Sequence, residues 1–380
     1  MDKIEALYIH IPFCDHICIY CDFYKMIAKE EDQNKYIDYL IKELYLRQNY
    51  YKDLKTIYIG GGTPSTLSRY NLNRLLSSIN EVININNIIE FTIEANPNDV
   101  NIEFVETIQK YHVNRISLGV QSLDDDKLRF LKRNHNKEIV LNALNILNEL
   151  KFDNINCDLI YGVNNDSSGL IINDIDYLVK YNVKHISCYS LIIEDKTILN
   201  KMIKEQKYNK MSDDLDYSIY SDINKHLKSI GFNQYEISNY AIPGYESKHN
   251  LTYWNDNYYI GIGANSSYYY DHTRFTNFNN LNKYYKTIDD YNGNLDTLEI
   301  NKLNKDDEMY EFVMLGLRKT KGISKKEFIN RFAIDIKDKY PNINKLLNDN
   351  TLIEDNEFIR ISDDKLYIMN LVLDKILGDE

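Results

Sequence analysis

At 380 residues with 43% hydrophobic content, the chain is long enough for one large domain and a smaller one. A formal charge of -12 gives no basic surface for displacing counterions from phosphates, so no nucleic-acid partner is expected. No stretch approaches the roughly 18 apolar residues of a membrane span, and nothing near the N-terminus reads as an export signal, so the expectation is a cytoplasmic protein without a membrane span.

The first predicted strand, residues 6–11, runs into three of the five cysteines, spaced Cys14-x3-Cys18-x2-Cys21. An odd, clustered set of thiols argues against a disulfide framework and for a metal. A closed zinc site takes four ligands, often as two paired CxxC units, and no second pair is present. A 4Fe-4S cubane held by three cysteines keeps one iron open, to which a chelating amino acid can offer nitrogen and oxygen. On spacing alone a zinc loop stays open as the alternative. Cys157 and Cys188 sit singly inside apolar runs and read as small core residues.

Further strands are predicted at 56–59, 89–94, 115–119, 155–161 and 185–191, with helical stretches between them at 34–48, 69–83, 102–111, 137–150 and 168–181. Connections of this length imply parallel pairing and an α/β fold, in which functional residues collect at the carboxyl ends of strands. Motifs fall at those ends repeatedly. Gly60-Gly61-Gly62-Thr63 permits close backbone approach to a ligand. Glu94 can accept hydrogen bonds from a ribose or an ammonium group, or be a solvated strand-end carboxylate. Gln121 and Ser122 close the fourth strand, and Arg133 offers a planar fork for a carboxylate. Asp158 is a carboxylate in an otherwise apolar strand and needs a partner, for which adenosine hydroxyls would serve. Residues 198–230 read as helical, the Tyr-, Asn- and Gly-rich segment to 291 as strands and loops, and a helix at 306–320 opens a separate C-terminal module.

The cysteine spacing resembles the signature of the radical S-adenosylmethionine superfamily. Leu7-Tyr8-Ile9-His10-Ile11-Pro12-Phe13-Cys14, Gly119-Val120-Gln121-Ser122, Asp158-Leu159-Ile160-Tyr161-Gly162, Tyr235-Glu236-Ile237-Ser238-Asn239 and Leu315-Gly316-Leu317-Arg318 are similar to its coproporphyrinogen dehydrogenase-like (HemN/HemW) branch. The resemblance runs over nearly the whole chain. It implies an incomplete (βα)6 TIM-like barrel core (1–235), a barrel-associated extension (236–297) and a small helical, winged-helix-like C-terminal domain of HemN type (298–380). It also implies a 4Fe-4S cluster on Cys14, Cys18 and Cys21. S-adenosylmethionine contacts would come from Tyr8, Tyr20, Gly61, Gly62, Thr63, Glu94, Gln121, Arg133 and Asp158. Tyr20 would lie against the adenine, with loop packing as its ordinary reading, and the Gly61–Gly62–Thr63 backbone would hold the amino group. No catalytic residue is assigned.

Within the branch, the dehydrogenase carries a further cysteine two residues after the third and a long extension before the cluster loop. Here Asp22 and Phe23 follow Cys21, and thirteen residues precede Cys14. His249-Asn250-Leu251-Thr252-Tyr253-Trp254 resembles the haem-associated histidine motif of HemW-type haem chaperones. That likeness makes His249 a candidate axial ligand with Tyr253 and Trp254 against the porphyrin, although a lone histidine is more often structural. Lys248 and Arg274 are candidates for the propionates by sequence proximity. Two departures stand out: Val163-Asn164-Asn165-Asp166 replaces a Pro-Gly-rich turn, and residues 265–267 replace a stretch that often holds a histidine, so no site residue is carried over from 261–267. The expected function is a haem chaperone that delivers haem to an acceptor haemoprotein, with an electron donor as a further possible partner. The alternatives are an oxygen-independent coproporphyrinogen III oxidase of porphyrin biosynthesis and a radical methyltransferase.

Overall fold

Six parallel strands form the centre of the computed structural model, which describes residues 3–293 and 295–378. They are β1 (Ala6–Ile11), β2 (Thr56–Gly61), β3 (Glu90–Ala95), β4 (Arg115–Gln121), β5 (Ile155–Tyr161) and β6 (His185–Ser190), adjacent in that order. Each crossover carries a helix: α1 (Glu30–Leu46), α2 (Arg69–Val82), α3 (Ile102–Lys110), a short α4 (Asp125–Phe130) before α5 (Lys137–Glu149), and α6 (Ser168–Lys180). Ser68, Asn101, Asn136 and Ser167 start four of these helices by accepting a backbone N–H three residues on. The α/β expectation is met, and the strands fall within two residues of the predicted ones.

The strands alternate in character. Leu7, Ile57, Phe91, Ile116, Cys157 and Ile186 join the hydrophobic core, as does Cys188. Tyr58, Glu94, Ser117, Asp158 and Ser187, on the other set of positions, line an internal cavity. The side-chain period of two therefore gives the barrel an apolar coat under the helices and a polar interior. Between Leu118 and Gln121 the β4–β5 register shifts, and Gln121 takes a left-handed backbone (φ 66°). Such a kink is costly for a non-glycine residue and turns the end of β4 toward the cavity.

After β6 come α7 (Ile198–Lys204), α8 (Asp213–Ser229), β7 (Asn233–Gln234) and β8 (Asn239–Ala241), the last antiparallel to β6. The chain then returns to the opposite edge through α9 (Lys248–Trp254). There β9 (Tyr259–Ile262) pairs parallel with β1, followed outward by β10 (Ser267–Tyr270), β11 (Thr273–Thr276) and β12 (Glu299–Lys302), with α10 (Leu281–Asp289) between the last two in sequence. The reading of this region as strands and loops is corrected by α9 and α10. α9 is short, and five of its seven residues, His, Asn, Thr, Tyr and Trp, are modest helix formers. Its N-terminus is held by tertiary contact: the Glu90 carboxylate accepts from Ser247 Oγ (3.3 Å), Lys248 N (2.9 Å) and His249 N (2.9 Å). The Val163-Asn164-Asn165-Asp166 departure still makes a turn, with Asn165 at φ 71° and Asp166 paired with Lys127 at 2.8 Å.

The C-terminal segment packs around its own cluster, including Phe312, Phe328 and Phe332. It comprises α11 (Lys305–Gly316), opened by an Asn304–Asp307 capping box, then α12 (Lys325–Phe332), α13 (Ile336–Lys339), α14 (Asn342–Asn348) and α15 (Met369–Leu377). A three-stranded antiparallel sheet of β13 (Ile323–Ser324), β14 (Leu352–Glu354) and β15 (Phe358–Ile361), with β15 in the middle, completes it. Among the described residues no helix is long and apolar enough to cross a membrane.

Candidate functional site

The cysteine loop is fixed to the strand ends by backbone bonds. Cys14 N donates to Met26 O (3.0 Å), Met26 N to Pro12 O (2.7 Å), Gly62 N to Ile11 O (2.8 Å) and Thr63 N to Phe13 O (2.7 Å). A Cβ on Gly62 would meet Phe13 O at 2.6 Å, and one on Gly61 (φ 117°) would strike the His10 ring at 2.5 Å. These glycines are therefore already required by the protein's own packing, as well as bordering the cavity. Beneath the loop, Ile19, Leu131, Ile160, Leu191 and Leu199 form a small apolar cluster against which Tyr20 packs.

Cys14, Cys18 and Cys21 line one cavity of about 550 Å3, together with Tyr20, Gly61, Gly62, Thr63, Glu94, Gln121, Arg133 and Asp158. That volume is in the range of a small-molecule or cofactor site. Tyr8 stands one layer lower, its ring 6.2 Å from that of Tyr58 and its hydroxyl 3.0 Å from His10 Nδ1. The thiols have polar company: Cys14 Sγ lies 3.5 Å from Thr63 Oγ1, Cys18 Sγ 3.6 Å from His16 Nε2, and Arg133 Nη1 3.5 Å from Cys18 Sγ. Lys25 Nζ donates to Cys21 O at 2.6 Å. Burial alone would push the Cys18 thiol up, but the His16 bond and the Arg133 charge outweigh it and hold it below the ordinary range. Cys14 has no such cation in contact, and burial raises it to about 11.

Arg133 also donates through Nη2 to Asn96 Oδ1 (2.7 Å) and Gly119 O (2.9 Å), while its Nε and His16 Nδ1 are buried without partners. Glu94 accepts from Tyr58 Oη (2.8 Å) and Gly61 N (3.1 Å), and burial raises its carboxyl to about 7. Asp158 finds protein partners, Asn156 Nδ2 at 2.8 Å and Ser117 Oγ at 3.3 Å. The partner that a buried carboxylate needs is thus supplied by the protein itself. The donor set suits an iron–sulfur cluster: three thiols border one space beside cationic groups and unpartnered N–H donors. Among the described residues no group of three or more His, Cys, Asp or Glu is gathered in single-ion geometry. The thiols share the cavity without meeting at one point.

The structure does not bring His249 to this loop. It lies on α9 beside Thr56, at the starting end of β2, and is 1% exposed. Its Nδ1 bonds with Thr56 Oγ1 (2.9 Å) and its Nε2 with Tyr253 Oη (2.7 Å), and burial lowers its pKa to about 3. An openly presented imidazole ligand is therefore not what this conformation holds. Arg274 is likewise committed, to Asp256 (3.1 Å) and Glu311 (2.7 Å), which removes it as a free cation for propionates. Lys248 is exposed.

Sequence reasoning missed His16, Lys25, Asn96, Arg115, Asn156, Ser187 and Tyr189 as cavity residues. For the strand residues a signal existed: they share the two-residue period of Glu94 and Asp158, and that face is the interior.

Comparison with known proteins places these features in company. Residues 8–192 match the model of the radical SAM superfamily, and residues 303–364 that of the HemN C-terminal domain. The chain is 36% identical to the heme chaperone HemW of Lactococcus lactis over 383 residues, covering 100% of this chain and 99% of that one. It is 34% identical to the protein of the same name from Bacillus subtilis, over 93% and 94% of the two chains. Among solved structures it resembles coproporphyrinogen III oxidase (HemN) from Escherichia coli, a radical SAM enzyme. The TM-score is 0.83 at 21% identity, over 99% of this chain and 91% of that one, a likeness of fold.

Proposed function

The chain belongs to the HemW family of radical SAM proteins, and on that premise we propose that it is a haem chaperone, binding haem and delivering it to an acceptor haemoprotein. In this reading Cys14, Cys18 and Cys21 hold a 4Fe-4S cluster and S-adenosylmethionine lies exchangeably across the strand ends. When bound, such a cluster supplies one-electron chemistry at its open iron. The chain's own residues supply binding and orientation. Arg133 ties the Cys18 end of the loop to Asn96 and Gly119, Gly61 to Thr63 border the ligand space, and Glu94 offers an acceptor beside Tyr58. Free cysteines throughout suit a reducing compartment such as the cytoplasm.

The observation that carries the chaperone reading over the oxidase alternative is Phe23. It occupies the position two residues after Cys21, lines the cavity and is 73% exposed, where a dehydrogenase would have a fourth cysteine. Haem ligation through His249 is part of the proposal and requires α9 to lift from Thr56 and Glu90.

The test is anaerobic. The reconstituted protein, given S-adenosylmethionine and a reductant, is assayed for conversion of coproporphyrinogen III and, in parallel, for haem binding and transfer to an apo-haemoprotein. Binding and transfer without conversion are expected. Turnover to protoporphyrinogen would replace the chaperone reading with the oxidase.

A further inference from the structure

Arg115, at the start of β4, is 2% exposed and lines the same cavity from its floor. From there to the end of β4 is a rise of roughly 20 Å, at the strand rise per residue. Among the described residues nothing hydrogen-bonds to its guanidinium or pairs with it, and its Nε is buried without a partner. Glu94 and Asp158, the strand carboxylates of the interior, feel the Arg115 charge, but their hydrogen bonds go elsewhere, Glu94 to Tyr58 and Gly61, Asp158 to Asn156 and Ser117. His185 and His249, which feel its charge, are both held neutral, by burial first and by Arg115 second. Ser117, Asn156, Ser187 and Asn250 border the cavity as well, and all are uncharged.

A buried cation without a hydrogen-bonded counterion is costly, and its removal from water is offset only when a well-fitted anion arrives. The guanidinium is a planar fork that matches a carboxylate, and since Glu94 and Asp158 act on it only at a distance, its fork is left for an incoming one. We propose that Arg115 forms an anion subsite on the barrel floor, which takes the carboxylate of an aliphatic acid arm of a ligand entering the cavity. On the haem-carrier reading, that arm is a haem propionate. The methionyl group of S-adenosylmethionine carries the same chemistry, but chelation to an iron on the cysteine loop would hold its carboxylate at the opposite end of the strands.

The experiment compares the full-length wild type with Arg115→Gln and Arg115→Lys, using sodium propionate, haem, haem dimethyl ester and S-adenosylmethionine as probes. Propionate is expected to raise the melting temperature of the wild type and to have no effect on Arg115→Gln. Haem should bind Arg115→Gln at least tenfold more weakly, while the dimethyl ester and S-adenosylmethionine bind both proteins alike. Should Arg115→Gln fail to fold, Arg115→Lys, which keeps the charge without the fork, reads the same contrast between haem and ester. Equal propionate effects on wild type and variant, or equal losses for haem and ester, overturn the subsite. A loss confined to S-adenosylmethionine overturns the propionate as its occupant. Haem failing to bind the wild type while the propionate effect persists would remove the chaperone reading and uphold the anion subsite.

Discussion

Arg133 Nη1 stands 3.5 Å from Cys18 Sγ, while Cys14 Sγ has only the Thr63 hydroxyl at the same distance. The two thiols are thereby made chemically unequal before any cluster is bound. Burial opposes ionisation of Cys18, yet the His16 bond and the Arg133 charge hold its thiol down, whereas burial lifts that of Cys14 to about 11. Since the thiolate is the nucleophile, cluster-free protein treated with iodoacetamide at pH 8 should be labelled at Cys18 ahead of Cys14. Accessibility alone gives the opposite order, because Cys18 is buried and Cys14 only half-buried. Peptide mass spectrometry of a time course decides, and Arg133→Met should narrow the difference.

Glu94 makes stability depend on pH. Burial, the largest cause, raises its carboxyl from 4.5 to about 7 despite the bonds from Tyr58 and Gly61. The folded state then holds a proton that the unfolded state has lost, so the stability from this group is complete below about 4.5 and is lost as pH rises through 7. The amount at stake is of the order of 3 kcal/mol, from the size of the shift. Glu94→Gln should flatten the fall in melting temperature between pH 5 and 8. A slope unchanged from wild type would mean that Glu94 ionises normally.

The six strands and five crossover helices were legible because each is a long periodic segment bounded by a side-chain cap or turn. What was not legible depended on partners distant in sequence. β9 joins β1 only after the chain has crossed the barrel floor, and α9 is held there by Glu90, far earlier in the chain. The place of the cysteine loop could be read from spacing, which by itself left zinc open as its occupant. The glycines were legible as necessary, but their immediate neighbours are His10 and Phe13, which no local pattern announces. His249 shows the same limit: a motif names the residue, while its two hydrogen bonds to Thr56 and Tyr253 decide what it faces.

The C-terminal segment is fastened to the barrel extension through Asp256. Its carboxylate lies 3.1 Å from Arg274 and 2.9 Å from Arg331, with its side chain 1% exposed. Removing this carboxylate takes away the charge that both arginines share. Glu311 still pairs with Arg274 and both guanidinia are partly exposed, so the cost is up to roughly 3 kcal/mol, the low end for breaking a buried pair. Asp256→Ala should therefore lower the denaturation midpoint substantially and expose the 298–305 connection to limited proteolysis. Arg331→Met should have a smaller effect, because Arg274 remains. A midpoint within error of wild type for Asp256→Ala would show that the cluster does not hold the segment.

The Glu90 clamp on α9 gives the haem proposal a kinetic test. Glu90 accepts from three groups at the start of the helix, and His249 is sealed behind it. If haem reaches His249, α9 must first release, and the release rate should depend on how firmly its N-terminus is held. Glu90→Gln keeps the shape but removes the charge, weakening the cap by about 1 kcal/mol. That loss corresponds to a gain of roughly fivefold in the open population. Stopped-flow absorbance should show haem associating about that much faster with Glu90→Gln, and the gain should vanish in the Glu90→Gln, His249→Ala double variant. An association rate indifferent to Glu90 would place the iron ligand elsewhere than His249, whose backbone N–H this carboxylate holds.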